Sequence, residues 1–170
     1  MPKSFLPNLF TLSNLTLGVL SLLMTFNGNY ALAAVFILCA ALIDRYDGRV
    51  ARLLGVSSEI GKELDSLADL VSFGVAPSML ICLIYNLTSF NIIGYALVVI
   101  FPVTGAYRLA RYNTMDFENV FSGIPITIAG SILALYALMT YKSANNLVLT
   151  IVIILSLSYL MVSKIKFKKF

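Results

Sequence analysis

The sequence contains no histidine and only two cysteines among its 170 residues. Cys39 and Cys82 stand alone in different apolar stretches, as cysteines that only pack in a core do. The usual imidazole and thiolate ligands of zinc and copper are therefore missing. Any metal bound by this protein is expected to have hard oxygen ligands.

Charged residues are also scarce, at 12% of the chain, whereas 59% of the residues are hydrophobic. The mean hydropathy of +0.92 lies far above the range of soluble globular domains. This composition predicts an all-α integral membrane protein. We expect it to contact membrane lipids and to have no nucleic-acid partner.

The apolar residues fall into separate stretches of about 20, the length that a membrane-spanning helix needs. Turn residues such as Asn27, Gly28 and Asn29 separate them. We predict one domain, residues 1–170, with six transmembrane helices at roughly 5–26, 30–51, 62–85, 91–110, 124–141 and 146–163. Pro77 and Pro102 fall inside spans and are expected to kink them.

The basic residues indicate the orientation of these spans. Lysine and arginine mark the cytoplasmic side of a membrane protein. With six spans, Lys142 is the only one of the twelve basic residues on the outer side. Both termini are therefore predicted to be cytoplasmic. All eight acidic residues fall on the same side, so we expect a cytoplasmic active site in a multi-pass protein of the cell membrane.

One acidic stripe lies at the cytoplasmic end of the second span. Residues three, four, seven and eight positions apart share one face of a helix. This places two acids, two small residues and an arginine in line: Asp44, Asp47, Gly48, Ala51 and Arg52. The acids lie about 4.5 Å apart along the helix axis. The small residues leave room for a ligand, and the arginine suits a phosphate.

The third span repeats this pattern with Gly61, Asp65 and Asp69, which are spaced by four residues. The short connection to the second span makes the two helices antiparallel neighbours. Four carboxylates, from Asp44, Asp47, Asp65 and Asp69, are then expected around one point. Such a cluster repels itself and needs compensating positive charge or partial protonation.

Divalent cations supply that charge best, and carboxylate oxygens suit Mg²⁺, Mn²⁺ or Ca²⁺. Two such ions would bridge a pyrophosphate and stabilise an in-line displacement. One alternative is a structural ion-pair cluster with Arg45, Arg49 and Arg52, which leaves the aligned small residues unexplained. Another is an ion or proton transporter, but the acids stop at one interface and the last two spans are almost wholly apolar.

The segment from Asp44 to Asp69 matches in full the signature of the CDP-alcohol phosphotransferase family, D-x2-D-G-x2-A-R, eight residues, G-x3-D-x3-D. The chain is therefore identified as a member of that family by resemblance. The resemblance implies that an alcohol attacks the lipid-side phosphorus of a CDP-linked lipid and that CMP leaves. It also implies a homodimer, since relatives in the family are commonly dimers.

Carried over to this chain, the resemblance assigns a two-metal centre with Mg²⁺ or Mn²⁺ to Asp44, Asp47, Asp65 and Asp69. Asp69 is also the candidate base for the acceptor hydroxyl. The CDP-lipid ligands would be Gly48, Ala51, Arg52 and Gly61, with weaker candidates in Ser58, Asn8 and Thr11. For these three, ordinary helix capping is the alternative.

Other stretches resemble the small phosphatidylserine synthases of bacteria and archaea, which act on CDP-diacylglycerol and L-serine: residues 7–14 (PNLFTLSN), 64–77 (LDSLADLVSFGVAP), 105–113 (GAYRLARYN) and 121–125 (FSGIP). Glu63 departs from the glutamine expected there. Arg108 and Arg111 share a helix face and suit the serine carboxylate. They suit the phosphate of glycerol 3-phosphate or inositol phosphate equally well, or a role as cytoplasmic anchors. Asn14-Leu15-Thr16 matches a glycosylation sequon, and we interpret this match as chance.

Overall fold

The computed structural model describes residues 5–54, 59–114, 121–143, 146–163 and 166–167, and it describes their side chains except at 5–7, 47–54, 121–122 and 166–167. This part is helical apart from one pair of two-residue strands, so the all-α prediction is confirmed. The elements are α1 (Phe5–Phe26), α2 (Tyr30–Leu54), α3 (Glu59–Asp69), a π-helical segment (Leu70–Val75), α4 (Ala76–Ile84), a 3-10 turn (Leu87–Phe90), α5 (Asn91–Thr114), β1 (Phe121–Ser122), α6 (Ile126–Thr140), α7 (Leu147–Val162) and β2 (Lys166–Phe167).

Within the described residues, three helical segments are long and apolar enough to cross a membrane: Asn8–Phe26, Glu59–Ile84 and Leu87–Thr114. The helices α6 and α7 are also apolar but shorter, with 15 and 16 residues. Large apolar side chains such as Leu23, Ile92 and Tyr159 project from the molecule and are exposed. An apolar surface of this kind fits lipid rather than water, so the protein is membrane-embedded.

The segment Glu59–Ile84 runs through the centre of the bundle and contacts α1, α2, α5 and α6. Its irregular part is a π-helical turn that begins directly after Asp69 and ends just before Pro77. Proline has no N–H to donate to the preceding turn, and widened turns of this type occur often at functional sites. The irregularity expected at Pro77 thus takes the form of a π-helical segment.

Small residues allow the helices to approach closely around this segment. A Cβ atom on Gly18 of α1 would overlap Ser72, and one on Gly130 of α6 would overlap the backbone of Phe73. Close approach at small residues is typical of helices packed within membranes. Two helices are therefore packed against the turn that follows Asp69.

The pair of short strands, β1 and β2, was not predicted from the sequence. Phe121 pairs with Phe167, and Ser122 pairs with Lys166, in antiparallel register. Next to it, Gly123 has a φ of +79°, and the N–H of Ile124 donates to the carbonyl of Leu160. The stretch before α6 is thereby attached to the end of α7.

Candidate metal and substrate site

Three aspartates from two helices meet at one point in the structure. Asp44 lies on α2, while Asp65 and Asp69 lie one turn apart on α3. One carboxylate oxygen from each residue lies within 4.8 Å of the other two. Asp69 is buried with 7% of its surface exposed, and the other two are half-buried. This arrangement concentrates three acidic groups in a region where water is scarce.

The local sequence explains why Asp44 points inward. Ala33, Ile37 and Ala40 are fully buried and precede it at helical spacing on α2, so Asp44 continues the face that packs against the rest of the bundle. Asp65 and Asp69 likewise precede the buried residues of the π-helical segment. The carboxylates are therefore held by the same packing that forms the core.

Two neutral side chains from other helices donate to this trio. The amide Nδ2 of Asn14 on α1 donates to Oδ1 of Asp69 at 3.1 Å. The hydroxyl of Thr127 on α6 donates to Oδ2 of Asp44 at 3.2 Å. Among the described residues, Oδ1 of Asp65 is buried and has no hydrogen-bond partner. A buried oxygen of this kind needs a donor or a cation.

The donor set fits a hard divalent cation. Carboxylate oxygens are the ligands that Mg²⁺, Mn²⁺ and Ca²⁺ prefer, and the unpartnered oxygen of Asp65 lies within the group that would bind it. Repulsion between two of these charges amounts to about 3 kcal/mol at 4.8 Å and an effective dielectric constant of 20. Bound cations would remove this repulsion.

The predicted acceptor residues lie on α5. Arg108 is half-buried and interacts electrostatically with Asp69. Its Nε is buried and has no hydrogen-bond partner among the described residues. Arg111 is half-buried one turn further along the helix. The structure therefore brings Arg108 to the carboxylate trio and places Arg111 on the same side of α5.

The predicted nucleotide ligands are only partly within the described residues. Gly61 is half-buried one turn before Asp65. The predictions for the side chains of Asp47, Gly48, Ala51 and Arg52, and for Ser58, lie outside the described part.

Asn8 and Thr11 lie inside α1 rather than at its start, so the capping alternative is wrong for both. Thr11 is buried and lies on the same face of α1 as Asn14, three residues later, whereas Asn8 is half-buried.

A groove of about 640 Å³ lies between α2 and α6. Asp44, Arg45, Thr127 and Ser131 supply its polar lining. The remaining lining is apolar and comes from Leu38, Ala41, Leu42, Pro125, Ile128, Ile132 and Leu135. The groove therefore joins Asp44, one member of the acidic trio, to an apolar surface.

Asn14 and Thr127 belong to this site but were not predicted from the sequence. For Asn14 a signal was present, because an amide inside an apolar span is costly unless it has a partner. Thr127 offered no signal, since a threonine near the start of an apolar helix is unremarkable in sequence.

The chain is similar to known proteins over almost its whole length. The chain is 39% identical to a CDP-diacylglycerol–serine O-phosphatidyltransferase of Helicobacter pylori, over 99% of this chain and 74% of that protein. It is 38% identical to the Bacillus subtilis protein of the same name, over 98% and 92%. It is 33% identical to an archaetidylserine synthase of Methanothermobacter thermautotrophicus, over 96% and 70%. The family model for CDP-alcohol phosphatidyltransferases matches residues 4–162, and the chain belongs to the CDP-alcohol phosphatidyltransferase family.

Proposed function

We propose that this protein is a phosphatidylserine synthase, which transfers the phosphatidyl group of CDP-diacylglycerol to the hydroxyl of L-serine and releases CMP. The observation that carries the proposal is the trio of Asp44, Asp65 and Asp69, of which Asp44 also lines an apolar groove. Proteins with this activity in their names resemble the chain over almost its whole length.

In this proposal Asp44, Asp65 and Asp69, together with Asp47, hold two divalent cations, Mg²⁺ or Mn²⁺, and Ca²⁺ fits the same oxygens. Bound cations would neutralise the diphosphate and the charge that develops on the leaving phosphate. Gly48, Ala51, Arg52, Ser58 and Gly61, with Asn8 and Thr11 on α1, are the proposed contacts of the CDP group.

Asp69 is the proposed general base. It is the most buried of the three acids, and α1, α6 and the π-helical segment restrain its surroundings. It takes the proton of the serine hydroxyl while the serine oxygen bonds to the lipid-side phosphorus. The bond between that phosphorus and the bridging oxygen breaks, and CMP leaves with the electron pair.

Arg108 and Arg111 are proposed to hold the serine carboxylate. The interaction between Arg108 and Asp69 supports this placement, because it brings the carboxylate-binding group close to the proposed base. The unpartnered Nε of Arg108 supplies a donor for an incoming anion. Two arginines also suit the phosphate of glycerol 3-phosphate or inositol phosphate, so these are the alternative acceptors.

The apolar groove between α2 and α6 supports a lipid substrate. We propose a single domain, residues 1–170, with six transmembrane helices, both termini in the cytoplasm and the site at the cytoplasmic face of the cell membrane. The described helices agree with the predicted spans to within a few residues at most ends. A homodimer stays a prediction from the family resemblance.

The test is CMP release by the purified protein in detergent, with CDP-diacylglycerol and Mn²⁺ or Mg²⁺. Serine, glycerol 3-phosphate and inositol phosphate are each supplied as the sole acceptor. Metal-dependent release with serine alone supports the proposal. Release with a phosphorylated acceptor would overturn the substrate assignment, and release that is independent of metal would overturn the role of the aspartates.

A further inference from the structure

We propose that Asn14 and Thr127 are positioning residues that orient the carboxylates of Asp69 and Asp44 for metal binding. Each donates one hydrogen bond to one oxygen of its aspartate. This inference rests on the proposed metal-dependent function, and its test separates the two.

The burial of Asn14 is the first reason. Its side chain is fully buried, yet only its Nδ2 has a partner, while its Oδ1 has none among the described residues. An apolar residue of similar size would avoid an unpaired oxygen at this position. The packing of α1 therefore does not account for an asparagine here, whereas the bond to Asp69 does.

The chemistry of the contact is the second reason. A carboxylate can only accept hydrogen bonds, so the amide must direct its NH₂ group toward Asp69. One oxygen of Asp69 is thereby engaged, and the rotation of the carboxylate about its side-chain bond is restrained. The remaining lone pairs of the carboxylate stay available to a cation and to the proton of the serine hydroxyl.

Thr127 makes the equivalent contact with Asp44. It lies in the first turn of α6, and its β-branched side chain has few available rotamers. Its hydroxyl reaches Oδ2 of an aspartate that is 83 positions earlier in the chain. The two donors thus come from different helices and act on different members of the trio. Such outer contacts orient metal ligands, and their loss typically weakens metal binding 10- to 100-fold.

A second hydrogen bond to Asn14, which does not involve its side chain, provides a matched control. The hydroxyl of Ser72 donates to the backbone oxygen of Asn14 at 3.0 Å. This bond joins α1 to the π-helical segment without touching a carboxylate of the trio. Removing it tests whether loss of the helix contact alone accounts for an effect at Asn14.

The experiment compares Asn14→Leu, Thr127→Val, Thr127→Ser and Ser72→Ala with the wild type. Binding of Mn²⁺ to each purified protein in detergent is followed by the electron paramagnetic resonance signal of the free ion. CMP release gives kcat and the KM for CDP-diacylglycerol.

We expect Asn14→Leu and Thr127→Val to bind Mn²⁺ about 10-fold more weakly and to lose kcat with little change in this KM. Thr127→Ser keeps the hydroxyl and should restore binding, and Ser72→Ala should bind like the wild type. If Asn14→Leu does not fold, the difference in Mn²⁺ binding between the isosteric Thr127→Val and Thr127→Ser tests the inference.

Unchanged Mn²⁺ affinity and kcat in folded Asn14→Leu and Thr127→Val would overturn this inference and leave the proposed function standing. Equal weakening in Ser72→Ala would also overturn it, because helix packing would then be the cause. A wild-type protein that binds no Mn²⁺ and releases CMP without metal would overturn both proposals.

Discussion

Substitution of Asp69 by asparagine separates the chemistry of this residue from its packing. An asparagine at position 69 has nearly the same shape, and its amide oxygen can still accept the hydrogen bond from Asn14. The proposed base is lost, however, together with one metal ligand. General-base catalysis typically contributes a factor of about 100 to 10,000, and we expect kcat to fall by at least this factor.

The same substitution should not destabilise the metal-free protein. Asp69 lies within 4.8 Å of two other carboxylates, and each charged pair at this distance repels by about 3 kcal/mol at an effective dielectric constant of 20. Asparagine carries no charge, so residue 69 repels neither neighbour in this variant. We therefore expect Asp69→Asn in EDTA to unfold at a temperature at least as high as that of the wild type in EDTA.

The assays are CMP release with serine, binding of CDP-diacylglycerol and thermal unfolding in detergent. Glu63→Gln is the matched control, because it makes the same acid-to-amide change on α3 at an exposed residue whose oxygen accepts from Asn113. It should keep nearly full activity. Near-wild-type kcat in Asp69→Asn would refute the role of the base. A lost activity with a lowered unfolding temperature would instead indicate misfolding.

Three other predictions concern different parts of the molecule. Arg111→Ala should raise the KM for serine far more than that for CDP-diacylglycerol, because it removes a contact of the acceptor carboxylate; equal effects on both would count against an acceptor site on α5. Chelation by EDTA should abolish CMP release and lower the unfolding temperature, since the repulsion within the trio returns, and Mn²⁺ or Mg²⁺ should reverse both effects; activity that persists in EDTA would contradict a metal centre. Tyr136→Phe should lower the free energy of unfolding by about 1–3 kcal/mol, because its hydroxyl joins Tyr85 and Thr150. Its KM values should not change, as it lies about 13 Å along α6 from Thr127, and a changed KM would show that the two ends of this helix are coupled.

The positions of the helices were largely predictable. An apolar run of about 20 residues must satisfy its own backbone hydrogen bonds in lipid, and a helix is the way a single segment does so. The observed α1 begins and ends where the first predicted span does, and α5 exceeds its predicted span by four residues. The π-helical form of the turn before Pro77 was not predictable, because proline signals an irregularity but not its geometry.

Contacts between residues that lie far apart in the sequence could not be predicted either. The two-residue strands β1 and β2 are too short to carry a periodic pattern. Gly18 and Gly130 allow α1 and α6 to approach the π-helical segment, and no local pattern marks a glycine inside an apolar run as such a contact. What each of them touches depends on which helix lies opposite.

The sequence by itself determined the membrane character of this protein, its helical class, the acidic signature and the family, because hydropathy and residue spacing are properties of a single segment. It also placed Asp65 and Asp69 on one helix face, since a four-residue spacing does so in any α-helix. The short connection between the second and third spans also predicted that Asp44 meets them, as it does in the structure. Only the tertiary structure decided that Arg108 interacts with Asp69, and that Asn14 and Thr127 donate to the carboxylates. The two hydrogen bonds join residues that are 55 and 83 positions apart. Such contacts arise from the packing of whole helices, which no local pattern specifies.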